Sequence, residues 1–425
     1  MTDFQQQALH LASRQDSPQW LAALRFEGAE QWLQAAWPTR RTELWKYTPL
    51  QALQRQSYGG WGTASLQRAE SVPLLELDAE RVVFINGVYA PELSTAAKRV
   101  VRFSQADAAQ RSLIEKYLGK VASTQRHLFA SLSNAWLDDG ILLHVARGER
   151  MQKPLYVVHV STAEAEPVTV NHRVLAVVEE NAHAELIEHF VSDDASQNSF
   201  VNTLTEIHID ANASVQHYRI NLEQEELIHI GGVHVDLWRD ARYSGFTLAE
   251  GSVLKRIDYQ LNHRGQGADA KLNGVYLPRN NQLIDYHTNV EHAVPHCTTS
   301  EVFRGIIGDS ARAVFNGRIH IHQDAQKTLA EMSNRNLLTS DKAEVDTKPE
   351  LEIYADDVKC AHGATISQLD ATAMYYLQSR GLSAAQARTM LSLGFINELL
   401  LELPQEAIRD YLQQHLQTYF AGMPS

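Results

Sequence analysis

A short turn that joins a polar residue to an alanine recurs through the middle of this chain, and it is the strongest constraint on the fold. Most of these turns are followed by a strand of alternating apolar and polar residues, such as residues 215–220. Successive central alanines are separated by 31, 28, 27, 43 and 32 residues. The turns are Asn181-Ala-His-Ala, Asn212-Ala-Ser, Asp240-Ala-Arg, Gly267-Ala-Asp-Ala, Ser310-Ala-Arg-Ala and Lys342-Ala-Glu.

A near-regular step of strand, turn and strand predicts a coiled solenoid or a stack of β-hairpins. The one long step predicts an insertion between residues 268 and 311. Periodicity alone leaves a β-sandwich open as an alternative. In a solenoid, we expect a lateral face of edge strands to form a docking surface for a second solenoid.

Helical patterns flank this β region on both sides. A helix start is predicted at Ser17-Pro18, and Gly28 is expected to interrupt the helical stripe that follows. An Asn-Gly turn between two apolar runs predicts a β-hairpin over residues 81–90. The predicted domains are an N-terminal helical domain at 1–75, a mixed hairpin and helix connection at 76–139, a β core at 140–366 and a C-terminal helical domain at 367–425.

The C-terminal helical domain carries clear boundary signals. Asp370 is a candidate N-cap, Gly381 is a helix-ending glycine, and Ser383-Ala-Ala-Gln386 is a capping box that opens the next helix. That helix has a wide apolar stripe, which could pack on the β core or form a partner surface. The stripe residues are Met390, Leu391, Phe395, Leu399 and Leu400.

Charge and composition exclude several classes of function. The formal net charge is −13 and the sequence has no block rich in lysine and arginine, which argues against a nucleic-acid partner. No apolar run approaches the roughly 20 residues of a membrane-spanning helix, and the N-terminus has no signal-peptide pattern, so a cytoplasmic location is expected. The two cysteines are then expected to be free thiols. No phosphate-binding loop motif is present, so ATP hydrolysis is expected to belong to another protein.

Cys360 and His362 are separated by one residue in the segment that ends the β region. Because side chains at positions i and i+2 of a strand point the same way, the thiol and the imidazole are predicted to share a face. A thiolate is the standard ligand of iron–sulfur clusters, and an imidazole can replace one or two of the thiolates. Two ligands do not complete a cluster, which usually has four, so others must come from this chain or from a partner. A buried structural cysteine beside an ordinary histidine is the alternative.

A second group of ligand types lies earlier in the chain, but its spacing matches no zinc motif. We interpret it as a loop with ordinary histidines, and a metal-binding enzyme built on it stays open as an alternative. The group comprises His287, Glu291, His292 and Cys297.

The segment His320-Ile-His322 places two imidazoles on one strand face. A mononuclear metal site of the cupin type would need a glutamate close behind this pair. The next glutamate is Glu331, which is too far along the sequence. We therefore interpret His320 and His322 as ordinary histidines.

The segment from Ala343 to Thr365 closely resembles the C-terminal signature of the SufB/SufD family, and of its SufD members in particular. Shorter matches lie in order along the chain, so the resemblance extends over residues 45–381. Ser367 departs from the family pattern, which often has glycine at this place. The shorter matches are Trp45-Lys-Tyr-Thr-Pro49, Arg312-Ala-Val-Phe-Asn-Gly317, Asn336-Leu-Leu338 and Tyr376-Leu-Gln-Ser-Arg-Gly381.

The resemblance implies a right-handed parallel β-helix, or solenoid, between N- and C-terminal helical domains, and it decides against the sandwich. It implies a non-catalytic scaffold subunit of the Suf system for iron–sulfur cluster assembly, in complex with SufB and the ATPase SufC. The β-helices of this chain and SufB would pair side by side, and the C-terminal helices, with their apolar stripe, would bind SufC.

The same resemblance places Cys360 and His362 near the SufB interface, as participants in cluster assembly. A cluster or iron would be held there only transiently, in the complex with SufB, and not tightly by the isolated chain. The isolated chain is expected to form a homodimer through the face meant for SufB. The remaining alternative is a purely structural adaptor that needs neither Cys360 nor His362.

Overall fold

The computed structural model describes residues 3–11, 17–60, 62–70, 72–95, 97–122, 124, 126–164, 166–196, 198–223 and 226–421. The predicted fold class is confirmed: a parallel β-solenoid of about seven coils lies between N-terminal and C-terminal helices. Each coil contributes one strand to each of two sheets, and a hydrophobic core fills the space between the sheets.

The strands are numbered in chain order. They are β1 (Glu80–Ile85), β2 (Val88–Tyr89), β3 (Val100–Arg102), β4 (Ile141–Val145), β5 (Leu155–Ser161), β6 (Thr169–Val178), β7 (His183–Ser192), β8 (Phe200–Ile209), β9 (Ser214–Asn221), β10 (Ile228–Leu237), β11 (Arg242–Glu250), β12 (Leu254–His263), β13 (Asp269–Leu277), β14 (Leu283–His292), β15 (Thr298–Ile307), β16 (Arg312–Ile321), β17 (Leu329–Leu338), β18 (Glu344–Ile353) and β19 (Lys359–Gln368).

The strands alternate between two sheets. Sheet A comprises β3, β4 and the even-numbered strands from β6 to β18, and sheet B comprises β2, β1 and the odd-numbered strands from β5 to β19. The strands of each sheet pair in parallel, except that β2 and β3 run antiparallel to β1 and β4. The hairpin predicted over residues 81–90 is confirmed as β1 and β2, with Asn86 and Gly87 at positive φ in the turn.

The α-helices lie at the two ends of the chain and beside the first strands. They are α1 (Asp3–Leu11), α2 (Ala22–Gln34), α3 (Gln51–Arg55), α4 (Leu66–Ala69), α5 (Ala108–Tyr117), α6 (Leu128–Ala135), α7 (Ala371–Ser379), α8 (Ala384–Leu401) and α9 (Glu406–Ala421). In the part of the chain that the structure describes, no helix combines the length and apolar character needed to cross a membrane.

The recurring alanine turns are corners of the solenoid. At Asn181-Ala182 and Asn212-Ala213, a residue with positive φ is followed by an alanine that is almost fully buried. Asparagine tolerates this left-handed conformation better than most residues. The alanine places a small side chain in the narrow space where the chain turns from sheet A to sheet B.

The predicted insertion between residues 268 and 311 is wrong. These residues form β13, β14 and β15, which are as long as the neighbouring strands. Ala268 follows a strand of sheet A and Ala311 follows a strand of sheet B, so the long step joins opposite corners. Cys297 occupies the missing corner position: its carbonyl accepts a hydrogen bond from the N–H of Leu329, as that of Ala268 does from Thr298.

The N-terminal helices cover the outer face of sheet A. Trp32 of α2, Phe129 of α6 and Phe200 of β8 belong to one aromatic cluster on this face. Gly28 does not interrupt α2, contrary to the prediction, because the helix continues through it. A Cβ atom at Gly28 would lie only 2.6–2.8 Å from atoms of α6, so this glycine lets the two helices approach closely.

The C-terminal helices α8 and α9 cover the outer face of sheet B, where their apolar residues form one cluster with those of the strands. Arg304 of β15 donates a hydrogen bond to the carbonyl oxygen of Phe395 at 2.6 Å and fixes α8 to the sheet. The predicted boundary signals are confirmed. Asp370 caps α7, Ser383 opens α8 through a capping box, and Gly381 adopts a positive φ between them.

The solenoid ends in an unpaired edge. Within the described residues, β18 and β19 each pair with one strand, so the outer side of both carries backbone donors and acceptors without a strand partner. The predicted lateral face of edge strands is wrong. Strands of a parallel solenoid hydrogen-bond along its axis, which confines the edges to its ends and leaves sheet faces along its sides.

A buried ion pair joins the solenoid to its N-terminal cover. The side chains of Arg173 on β6 and Glu206 on β8 are both fully buried and lie 2.5 Å apart. Glu206 also accepts hydrogen bonds from the N–H groups of Gly119 and Ala122, at 2.9–3.1 Å.

We expect Glu206→Ala to lower the free energy of unfolding by about 3–5 kcal/mol, because it leaves the Arg173 guanidinium buried without its partner. Urea denaturation of the full-length chain measures this loss. An Arg173→Met/Glu206→Leu double variant is the control and should be more stable than the single variant. A loss below about 1 kcal/mol in the single variant, within the range of a surface ion pair, would contradict the prediction.

Candidate functional site

Cys360 and His362 lie on β19, the last strand of sheet B. They pair in register with Ala330 and Met332 of β17, which both belong to the buried core. The two side chains therefore share the inward face of the sheet, as their spacing predicted. Cys360 is half-buried against the core, whereas His362 is exposed because no further coil covers this end.

The Cys360 thiol lies in partly apolar surroundings. Burial raises its pKa above the ordinary value, and a hydrogen bond with the Ala330 backbone opposes this rise. The thiol is therefore protonated at neutral pH and reacts slowly in the isolated chain. A metal ion would bind it as the thiolate and displace the proton.

One acidic residue on the same inward face was not predicted from the sequence. Glu301 of β15 lies on the same inward ladder as Met332 and His362, two coils before the end. Burial raises the pKa of Glu301 to about 8, and the nearby Thr288 hydroxyl offsets this only in part. The interior behind His362 therefore holds a carboxyl group that is largely protonated at neutral pH. A search for ligand types two coils apart, in the register of the paired strands, would have found it.

The apolar stripe of α8 is mostly turned toward the solenoid. Leu399 and Leu400 are 2% and 1% exposed and pack against sheet B. Their assignment to a partner surface is therefore wrong, because helix α8 uses this side of its stripe to cover the sheet. Leu391 and Phe395 are half-buried, and Met390 faces solvent.

A smaller exposed apolar surface remains on the C-terminal helices. Tyr375 and Tyr376 of α7 are 74% and 56% exposed, and Met390 of α8 is 57% exposed. Helix α7 has no buried residue, although it packs beside α8. We define these three residues as the α7–α8 patch.

His287, Glu291, His292 and Cys297 do not form one site. The alternation along β14 turns His287 and Glu291 to the outer face of sheet A, and it turns His292 to the interior, where Cys297 also lies. His287 pairs with Asp285, at 3.0 Å. The alternative of an enzyme built on these four residues therefore has no geometric basis.

In the interior, His292 and Cys297 meet His263 of β12. The three residues offer ligand atoms within 4.8 Å of one another, and the Thr299 hydroxyl bonds to both imidazoles, at 2.8 and 3.0 Å. Burial lowers the pKa of His292 to about 4 and raises that of Cys297 to about 11. These neutral, fully buried groups are packed side chains at a solenoid corner.

On the outer face, Glu291 meets the two histidines of the His320-Ile-His322 segment. His320 Nδ1 and His322 Nε2 lie 2.6 and 3.1 Å from Glu291 Oε2. Burial opposes ionisation of Glu291, but hydrogen bonds from Asn289, Arg318 and His320 outweigh it and lower the pKa to about 2. The carboxylate comes from the preceding coil, so a search along the sequence toward Glu331 missed it.

Two family models match this chain. The model described as SUF system FeS cluster assembly, SufBD core domain, matches residues 159–395. The model described as SufBD protein N-terminal region matches residues 2–157. The first match covers the solenoid from β5 onward and the first part of the C-terminal helices.

Individual proteins match over most of their length. The iron–sulfur cluster assembly protein SufD of Escherichia coli is 35% identical over 385 residues, which are 89% of this chain and 88% of that protein. An iron–sulfur cluster assembly SufBD family protein of Synechocystis is 32% identical over 391 residues, 89% of this chain and 86% of its own. The chloroplastic protein ABCI7 of Arabidopsis thaliana is 27% identical over 409 residues, 93% of this chain and 85% of its own. With matches to both family models and to these proteins, the chain belongs to the SufBD family of iron–sulfur cluster assembly proteins.

Proposed function

We propose that this chain is a non-catalytic scaffold subunit of the Suf machinery, which acts in the cytoplasm with SufB and the SufC ATPase. A role in iron–sulfur cluster assembly follows from family membership. The observation that carries the finer proposal is the position of Cys360 and His362 on the inward face of β19, the end strand whose outer edge is unpaired. A partner that covers this end of the solenoid meets both ligands at once.

The open end supports pairing with a second solenoid. Its outer strands offer an unpaired backbone edge, and apolar side chains of the last coil are uncovered, with Ile353 and Ile366 41% and 52% exposed. A second solenoid that presents a matching edge would satisfy the backbone groups and bury these side chains. SufB is the proposed occupant, and a second copy of this chain takes its place when the chain is isolated.

Pairing would also complete the ligand set. Cys360 and His362 supply two ligands, and iron–sulfur clusters usually have four protein ligands. SufB would supply the others, so a cluster or iron is held only while the two subunits are together. In the isolated chain the protonated Cys360 thiol is a weak ligand, which fits transient binding.

The α7–α8 patch supports docking of the ATPase. Its tyrosines are large amphipathic side chains of the kind that is enriched at protein interfaces. Helix α8 is fixed to sheet B through Arg304, so a movement imposed on these helices is transmitted to the solenoid. ATP binding by SufC would in this way alter the interface at the open end.

Alkylation of Cys360 tests this coupling. Since Cys297 is fully buried, labelling of the native chain reports on Cys360. In the complex with SufB and SufC, we expect ATP to raise the labelling rate of Cys360 several-fold, measured by mass spectrometry. A Cys360→Ser variant provides the background. Equal rates with and without ATP would refute the coupling.

The ligand role of Cys360 and His362 has its own test. We expect the Cys360→Ala/His362→Ala double variant to assemble clusters at least about tenfold more slowly in the full complex, because two ligands are missing. The measurement is the absorption of the cluster as it forms. Cys297→Ala is the matched control, since alanine stands at the equivalent corners of other coils. Wild-type assembly by the double variant would instead favour the purely structural adaptor.

Substitution of the α7–α8 patch tests the docking of SufC. We expect Tyr375→Asp/Tyr376→Asp to abolish co-purification of SufC and to leave that of SufB intact, because the carboxylates interrupt an apolar contact. Phe26→Asp is the matched control, as Phe26 is 66% exposed on the N-terminal helices. Retention of SufC by the tyrosine variant would place the docking surface elsewhere.

A further inference from the structure

We propose that Glu291, His320 and His322 form a binding site for one divalent first-row transition-metal ion on the outer face of sheet A. Two imidazoles and one carboxylate are a donor set that suits Zn²⁺ and Fe²⁺. The site is separate from Cys360 and His362, which face the interior from sheet B. It goes beyond the scaffold function proposed above and does not depend on it.

The three ligand atoms already lie close together. His320 Nδ1 is 2.6 Å and His322 Nε2 is 3.1 Å from Glu291 Oε2. Each of the three residues offers a ligand atom within 4.8 Å of those of the other two. An ion about 2.1 Å from each ligand needs separations of about 3.0–3.4 Å between them. Small side-chain displacements therefore admit an ion, and the backbone of the paired strands β14 and β16 stays in place.

The neighbours of Glu291 hold its second oxygen and leave Oε2 to the ion. Glu291 Oε1 accepts hydrogen bonds from Arg318 Nη1 at 2.7 Å and from Asn289 Nδ2 at 3.1 Å. Arg318 is itself held by both carboxylate oxygens of Glu352, at 2.7 and 2.6 Å. Outer partners of this kind orient ligands in metal sites and contribute to metal affinity.

Elsewhere in this protein, a histidine–carboxylate pair has only one imidazole on the carboxylate, unlike the Glu291 group. His144 bonds to one oxygen of Glu179 at 2.9 Å, and the N–H of Arg147 bonds to the other. At Glu291, two imidazoles converge on a single oxygen, with ring centroids 4.3 Å apart. A metal ion binds the neutral form of each imidazole through a ring nitrogen, so one ion can bind both rings and the carboxylate together.

Solvent reaches the ligands from one side. The side chain of His322 is 46% exposed, and those of Glu291 and His320 are each 19% exposed. An ion can therefore enter from solution and keep water in its remaining coordination positions. The interior group around Cys297 is closed by comparison, since its three ligand residues are fully buried.

Metal titration of the full-length chain tests the proposal. The titrations use the Cys360→Ala/His362→Ala variant as parent, so that the proposed cluster ligands do not contribute. We expect one Zn²⁺ per chain by isothermal titration calorimetry. Adding His320→Ala/His322→Ala should weaken binding at least about 100-fold, and adding Glu291→Gln about 10–100-fold. Bound Co²⁺ should show visible ligand-field bands without the near-ultraviolet band of a thiolate ligand.

His144→Ala in the same parent is the matched control and should bind Zn²⁺ as the parent does. Circular dichroism melting curves confirm that each variant is folded. Equal binding by the parent and the His320→Ala/His322→Ala variant would overturn the proposal, and so would an equal loss in His144→Ala. Because the parent already lacks Cys360 and His362, failure of the scaffold proposal would leave these results unchanged.

Discussion

Each coil of this solenoid has to place its interior side chains directly over those of the coil before it, because the strands hydrogen-bond in register along the axis. The corners meet this constraint with a residue in the left-handed conformation followed by a small buried one. Corner side chains also stack, as the amide of Asn212 donates to that of Asn181 at 2.6 Å. Cys297 occupies one of these corner positions, so its burial follows from the coil geometry and needs no redox or metal role.

The same stacking buries charged side chains, and the neighbouring coils supply their partners. Glu188 of β7 pairs with His217 and Arg219 of β9, at 2.9 and 3.1 Å. Burial opposes ionisation of Glu188, but the charge of Arg219 and the hydrogen bond from His217 lower its pKa to about 2. An unpaired buried charge would cost several kcal/mol. At Glu188, therefore, the interior holds a charged residue because the adjacent coil provides the opposite charge.

Helices cover the outer face of sheet A over its earlier coils and much of the outer face of sheet B, but the C-terminal end of the solenoid stays uncovered. This difference determines where the candidate ligand residues of the chain are accessible to a partner or an ion. Cys360 and His362 occupy inward positions that an additional coil would bury, and the unpaired edge beside them can accept another solenoid. The Glu291 group lies on the outer face of the same last coils, where sheet A leaves its ligands open to solvent. The interior supports the fold, whereas the end and the outer face carry the groups that can bind something else.

The sequence by itself determined the features that depend on residues a few positions apart. These include the caps at Asp370 and Ser383 and the shared face of Cys360 and His362, which follow from local backbone geometry. Only the tertiary structure decided which distant residues meet. Ala268 and Ala311 lie at opposite corners of the solenoid. Leu399 and Leu400 are buried against sheet B, and Glu291 contacts two histidines of the next coil. The physical reason is that coil stacking and helix docking bring together residues about 30 or more positions apart, and their register depends on every corner in between.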